Sequence, residues 1–374
     1  MKLINSLLLR ALRKPSSIQG FTEDDWDLLV RQGRASGLLG RLGARIQAAG
    51  LTTDVPAPAW RHMSAMLTIA ERQKQAVLWE VKQLSVALAT LGAPIVLLKG
   101  AAYAAADLPP AAGRTFSDID VLVPKRFLGD VEKHLMLSGW TSSHLDPYDQ
   151  RYYRQWMHEL PPLAHLQRGT GLDVHHNVLP ETARTKVRPD LILADARPLA
   201  GYDNIFVPCP EDQVIHSATH LYHEGEWGHG LRDLSDLDCL MRSYGQNEDF
   251  LTRLTKRAQA LNLVVPLVYA MHNTRSVFGT PLSDAFLSQT IHLASWPKHA
   301  LMNPLLMGAL GAAHSSLAST ATPIAAAFMY VRSHWLRMPL HLLIPHFWHK
   351  ALKKAQQDGT SSRDEAGPRL PGGG

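Results

Sequence analysis

Residues 94–124, PIVLLKGAAYAAADLPPAAGRTFSDIDVLVP, decide how the rest of the chain reads. The apolar run Ile95–Leu98 predicts a short buried strand. It turns at Lys99-Gly100 and passes into an alanine-rich segment, Ala101–Ala106, of good helix propensity. A strand that feeds a helix through a glycine leaves backbone N–H groups open to a ligand, and a lysine beside them suits phosphate. After a loop rich in proline and glycine come Arg114 and Ser117, then Asp118-Ile119-Asp120 running into Val121-Leu122-Val123. Alternate residues of a strand share a face, so Asp118 and Asp120 point together while Ile119 and Val121 turn to the core. Two adjacent carboxylates repel unless a cation sits between them. Hard oxygen donors that leave the rest of the shell to water and phosphate are the usual way to hold Mg²⁺ or Mn²⁺, so Asp118 and Asp120 are candidate metal ligands.

This order of strand, glycine turn, helix and Asp-x-Asp strand resembles the polymerase-β-like nucleotidyltransferase superfamily. The wording LLKG followed by R-x-x-SDIDVLV is similar to a bacterial branch described only as nucleotidyltransferase family proteins. The resemblance implies an α+β core with a small mixed sheet, flanked by helical regions. It also implies a third carboxylate on a neighbouring strand, which residues 172–178, LDVHHNV, place at Asp173 with His175 on the same face. The superfamily carries Gly-Ser after its first strand, and here Lys99-Gly100 stands in that place, without the serine. On this reading Asp118, Asp120 and Asp173 are catalytic and metal-binding, while Lys99, Gly100, Arg114, Ser117 and His175 hold the nucleotide. Arg114 has two roles open to it, an ion pair with Asp118 or a two-pronged grip on phosphate.

The composition sets outer bounds. A chain of 374 residues with 45% hydrophobic content buries a sizeable core and is not a disordered sequence. Its two cysteines, Cys209 and Cys239, are too few for a disulfide framework and lack metal-ligand spacing, which predicts a cytoplasmic protein. The first residues, MKLINSLLLRALRK, have too short an apolar stretch for a signal peptide. A net charge of +5 suits an acidic partner, whether nucleotide, nucleic acid or anionic membrane. Residues 300–331 hold no Asp, Glu, Lys or Arg, yet Asn303, His314, Ser315, Ser316 and Pro323 interrupt them, so two buried helices are expected there rather than a membrane span.

Along the chain, residues 1–92 read as a helical region. Thr22 is placed to cap a helix with an acidic first turn, and a long helix from about Trp60 to Leu91 stops at Gly92. Residues 93–209 form the core. Within it Lys125–Leu137 predicts a helix, the run Tyr152, Tyr153, Trp156 suggests a strand, and the segments 163–167 and 172–177 flank the loop Arg168-Gly169-Thr170-Gly171 as a hairpin. Residues 210–357 read as a second helical domain and 358–374 as a disordered tail.

In that second domain His216, His220 and His223 share one helical face at i, i+4 and i+7, a zinc spacing that also suits core histidines. The segment also resembles the bacterial branch, with a His-rich helix, a glycine turn and then Arg232, Asp233 and Asp236, and the resemblance implies that these three border the substrate cleft, with their roles open. Near the end Trp335, Phe347 and Trp348 alternate with basic residues; a helix pair with its aromatics inward is expected, and peripheral contact with a membrane is the alternative. The leading function is metal-dependent transfer of a nucleoside monophosphate from an NTP to an unidentified acceptor. A non-catalytic nucleotide-binding module and a toxin–antitoxin type transferase acting on tRNA are its rivals.

Overall fold

The computed structural model describes residues 2–142, 146–223, 225, 227–293 and 296–343, with the side chains of 296–299 outside the description. Four helices lead in: α1 (Leu7–Arg13), α2 (Glu23–Ala35), α3 (Leu39–Ala48) and α4 (Ala57–Ala87). Thr22 caps α2 as expected. Its Oγ1 accepts the Asp25 N–H at 3.2 Å while the Asp25 carboxylate accepts the Thr22 N–H at 3.0 Å. After α4 and one 3₁₀ turn, Gly92 takes the left-handed conformation that releases the chain toward the sheet.

The core alternates β1 (Ile95–Leu97), α5 (Lys99–Ala105), β2 (Asp118–Leu122), α6 (Leu128–Leu137), β3 (Trp140–Ser142), α7 (Pro147–Trp156), β4 (Leu163–His165), β5 (Gly171–His175), α8 (Pro189–Ala194), β6 (Arg197–Pro198) and β7 (Ile205–Val207). Seven strands make one mixed sheet in the order β3-β4-β5-β2-β1-β7-β6. β1 runs antiparallel to β2 and parallel to β7, and β2 runs parallel to β5. The central strands Ile95–Leu97 and Ile119–Leu122 are buried. The hairpin β4–β5 forms as read, with Gly169 at φ +68° in its loop. Its loop is fastened to α4: the Arg168 guanidinium spans the Glu80 carboxylate at 2.6 and 2.9 Å, and Thr170 donates to the same carboxylate.

The stretch around Tyr152 corrects the sequence reading. It is helix α7, not a strand, because Asp146 caps it through the Tyr148 N–H and Pro147 fits the first turn. Tyr148, Tyr152 and Trp156 then recur every fourth residue and meet edge to face, with centroids 6.1 Å apart for the last two.

Beyond the core come α9 (Pro210–His223), α10 (Gly230–Tyr244), α11 (Glu248–Ala260), α12 (Val264–Phe278), α13 (Asp284–Leu293), α14 (Trp296–Leu310) and α15 (Thr322–Arg337). One apolar core runs without a break from Leu3 through the sheet to Met329. α14 and α15 pack on each other, and no helix among the described residues is long and apolar enough to cross a membrane. The expected inward aromatics are corrected at Trp335. It is 44% exposed, with the Arg184 guanidinium 3.8 Å from its ring centroid, because Ala325 and Met329 take the inner face of α15 and leave Ile324, Phe328, Val331 and Trp335 outside. Phe347, Trp348 and the tail 358–374 lie outside the described residues.

Candidate active site

The site begins where β1 ends. The Leu98 N–H donates to the Asp120 carbonyl at 2.9 Å, which fixes the turn against β2. Lys99 then adopts φ +42°, a left-handed conformation that costs a side-chain-bearing residue roughly 1–2 kcal/mol. Gly100 is required for a different reason. A Cβ there would lie 2.8 Å from Nη1 of Arg114, so the guanidinium packs where a side chain would begin.

The parallel register of β2 and β5 sets Asp120 opposite Asp173 and Asp118 opposite Gly171. Ligand atoms of Asp120, Asp173 and His175 lie within 4.8 Å of one another, a group able to hold a metal ion. Asp118 stands outside this group at the exposed head of β2, where Ser117 Oγ donates to it at 2.6 Å. The Asp120 Oδ1 atom accepts from Lys99 Nζ and from His175 Nε2, both at 3.1 Å. On its other edge His175 Nδ1 meets Glu159 Oε2 at 3.1 Å, and the ring of His158 lies beside it at 5.2 Å between centroids. Among the described residues the Asp173 carboxylate has no hydrogen-bond or ion-pair partner, although its backbone is part of the β2–β5 ladder.

Charge follows from this arrangement. Burial alone would raise the Asp120 carboxyl, but Lys99 and His175 outweigh it and hold the group well below the usual carboxylate range. At Asp173 the balance is reversed: burial together with the repulsion of Asp120 and Glu159 outweighs the attraction of His175 and pushes the carboxyl up to about 7. Burial disfavours a charged His175, yet its bonds to Asp120 and the nearby Glu159 prevail and raise it. Burial and neighbouring positive charge hold His158, His216 and His220 well below the ordinary histidine range.

Arg114 pairs with a carboxylate other than the one expected. Its Nε donates to Asp236 Oδ2 at 2.9 Å, and Arg41 Nη2 approaches the other oxygen at 2.7 Å, so the ion pair is with Asp236 on α10 and not with Asp118. Arg41 also donates to the Pro110 carbonyl and to Ser235. The loop that carries Arg114 meets α3 backbone to backbone: a Cβ on Gly40 would sit 2.4 Å from the Gly113 oxygen. These contacts hold the Arg114 guanidinium in the wall of a cavity of about 550 Å³, with Lys99, Gly100, Asp118, Asp120, His220, Arg232 and Asp236 around it. Asp173 and His175 lie just outside that wall.

The cavity is lined by Lys99, Gly100, Arg114, Ser117, Asp118 and Asp120, six of the residues singled out in the sequence, and also by Tyr103, Phe116 and His229. His216, His220 and His223 belong to α9, with His220 at the cavity wall; among the described residues they form no metal-donor group. Sequence reasoning missed Glu159 and Arg41. Glu159 precedes a buried Leu160 in HELPP and reaches His175 only because the two residues form an isolated antiparallel bridge, so no motif marks it.

A glycine turn after the first strand, with carboxylates in register on two parallel neighbours of a mixed sheet, defines a nucleotidyltransferase-type α+β core. The profile of the family called uncharacterised nucleotidyltransferase matches residues 22–279, more than half of the chain, and the protein belongs to that family. The match extends past residues 91–180, where the motifs lie, into the leading helices and through α12. No curated protein and no solved structure matches the chain.

Proposed function

We propose that the protein moves a nucleoside monophosphate from an NTP to an acceptor hydroxyl and releases pyrophosphate. One observation carries this reading: Asp173 faces Asp120 in register without a cation of its own, beside a cavity walled by Lys99, Arg114 and Arg232. The triphosphate occupies that cavity, where the ammonium of Lys99 and the guanidinium of Arg232 offset its charge. Arg114, pinned by Asp236 and passing over Gly100, presents its remaining N–H groups at a fixed place. Asp118, Asp120 and Asp173 are the residues to hold divalent cations, Mg²⁺ or Mn²⁺; their donor chemistry and the uncompensated charge at Asp173 fit such ions. Bound there, the cations would align the entering and leaving oxygens and neutralise charge as it develops.

Asp173 is not among the lining residues and stands on β5, with β2 between it and β1, which suits the acceptor. A carboxylate at that place can take the proton of the acceptor hydroxyl. The acceptor oxygen bonds to the α-phosphorus, the bond to the pyrophosphate oxygen breaks with its electron pair, and the proton passes to Asp173. Incubation with each labelled NTP, a divalent ion and cell extract, followed by mass spectrometry of the products, tests the transfer and finds the acceptor. Asp173→Asn should bind nucleotide yet turn over about 10²–10⁴-fold more slowly. A wild-type rate in that variant would remove Asp173 from the reaction. A second reading, nucleotide binding without chemistry, draws on Lys99 replacing the superfamily's Gly-Ser and closing onto Asp120. Metal-dependent binding with no product in any extract would favour it.

A further inference from the structure

We propose that His175 is itself a ligand, and that the first cation position selects a transition-series dication of the Mn²⁺ type through His175 Nε2, Asp120 and Asp173, with Glu159 behind the imidazole. The proposal rests on the metal-assisted reading above and departs from an all-carboxylate site. Its ground is the geometry around one ring. Nε2 of His175 and Oδ1 of Asp120 stand 3.1 Å apart. Two donors at right angles, each about 2.1 Å from a common octahedral ion, stand about 3.0 Å apart, so an ion entering between them displaces their shared proton and shares Oδ1 with the Lys99 ammonium, which would turn to the phosphates. Asp173 supplies a third donor within 4.8 Å of both and has no competing partner among the described residues.

The opposite nitrogen carries the second half of the argument. Nδ1 of His175 lies 3.1 Å from Glu159 Oε2, the carboxylate–imidazole–metal arrangement that fixes the tautomer, aims Nε2 inward and makes it a better donor. A surface carboxylate would serve no such end, but Glu159 is mostly withdrawn from solvent, and the bridge to His175 holds it there. His158 packs its ring alongside and limits tilting of the imidazole. Mg²⁺ favours oxygen donors and retained water, whereas one nitrogen with two carboxylates suits Mn²⁺, Fe²⁺ or Co²⁺.

The test follows Mn²⁺ by electron paramagnetic resonance, added to the full chain alone and with a non-reacting ATP analogue, with Mg²⁺ affinity measured by competition. Wild type should show hyperfine coupling to a ligand nitrogen. His175→Phe should lose that coupling and bind Mn²⁺ at least tenfold more weakly, with Mg²⁺ affinity changed less than threefold, and Glu159→Ala should weaken Mn²⁺ by about 10–100-fold. If His175→Phe fails to fold, the nitrogen coupling in wild type decides alone. Bound Mn²⁺ without nitrogen coupling, or equal losses for both ions, overturns the inference and leaves the transferase reading standing. No binding of either ion, with or without the analogue, overturns both.

Discussion

Replacing Lys99 by alanine and, separately, by glycine separates the two things this residue does. Both variants lose the ammonium that meets Asp120 at 3.1 Å, so that loss cancels when they are compared with each other. What remains is the backbone. At φ +42° an alanine still pays the left-handed penalty of roughly 1–2 kcal/mol, and a glycine does not. Glycine loses about 0.5–1 kcal/mol of this advantage to the greater freedom of its unfolded chain. The glycine variant should therefore be the more stable by about 1 kcal/mol, a difference to be read from urea unfolding at pH 7 with matched slopes. Both variants should lose most of the thermal shift that NTP and metal give the wild type, since neither offers charge to the phosphates. A more stable alanine variant would mean that Lys99 is not held in a strained turn. An undiminished nucleotide shift in both would remove Lys99 from the phosphate site.

Three further outcomes follow from the same geometry. Asp236→Asn strands two buried guanidiniums and should cost about 3–5 kcal/mol in urea unfolding; because Arg114 and Arg41 overcome burial and lower the Asp236 carboxyl, its contribution is present above the usual carboxylate range and fades on acidification, so the gap to wild type should narrow at low pH, and a gap under about 1 kcal/mol at pH 7 would refute the network. Asp173 is raised to about 7, so its folded form resists ionisation; in EDTA wild type should lose up to about 4 kcal/mol relative to Asp173→Asn as pH climbs from 4 to 8, and a constant difference between the two would contradict the crowded carboxylates. Gly100→Ala should push the Arg114 guanidinium aside at a cost of about 1–3 kcal/mol and shrink the nucleotide-induced thermal shift, whereas an unchanged shift would show that Arg114 has no part in binding.

Much of the core was legible because its signals are local. The run 95–98 with its glycine turn, the Asp-x-Asp pattern and the two-glycine hairpin each announce an element within ten residues, and all three form. The strand expected at Tyr152 failed because aromatic content outweighed the Asp146-Pro147 helix start in the reading. β3, β6 and β7 passed unnoticed: each is only two or three residues long, and no glycine turn or carboxylate pattern marks them as such signals mark the equally short β1 and β4. At the site, residue types were readable and partners were not. Arg114 finds Asp236 across 122 positions, and Glu159 finds His175 across a loop and two strands. Such pairings are properties of the packed chain, and a single sequence leaves no local trace of them. The same holds for the donor group itself, where strand register puts Asp173 and His175 beside Asp120 and leaves Asp118 apart.

The contact between Gly40 and Gly113 bears on how the cleft comes into being. Because two backbones touch there, no side chain can lengthen or shorten to absorb an error, and the loop bearing Arg114 takes its place from α3 directly. The leading helices are thus part of the cavity's framework: a change in the length or tilt of α3 would be passed through backbone alone to the loop that carries Arg114.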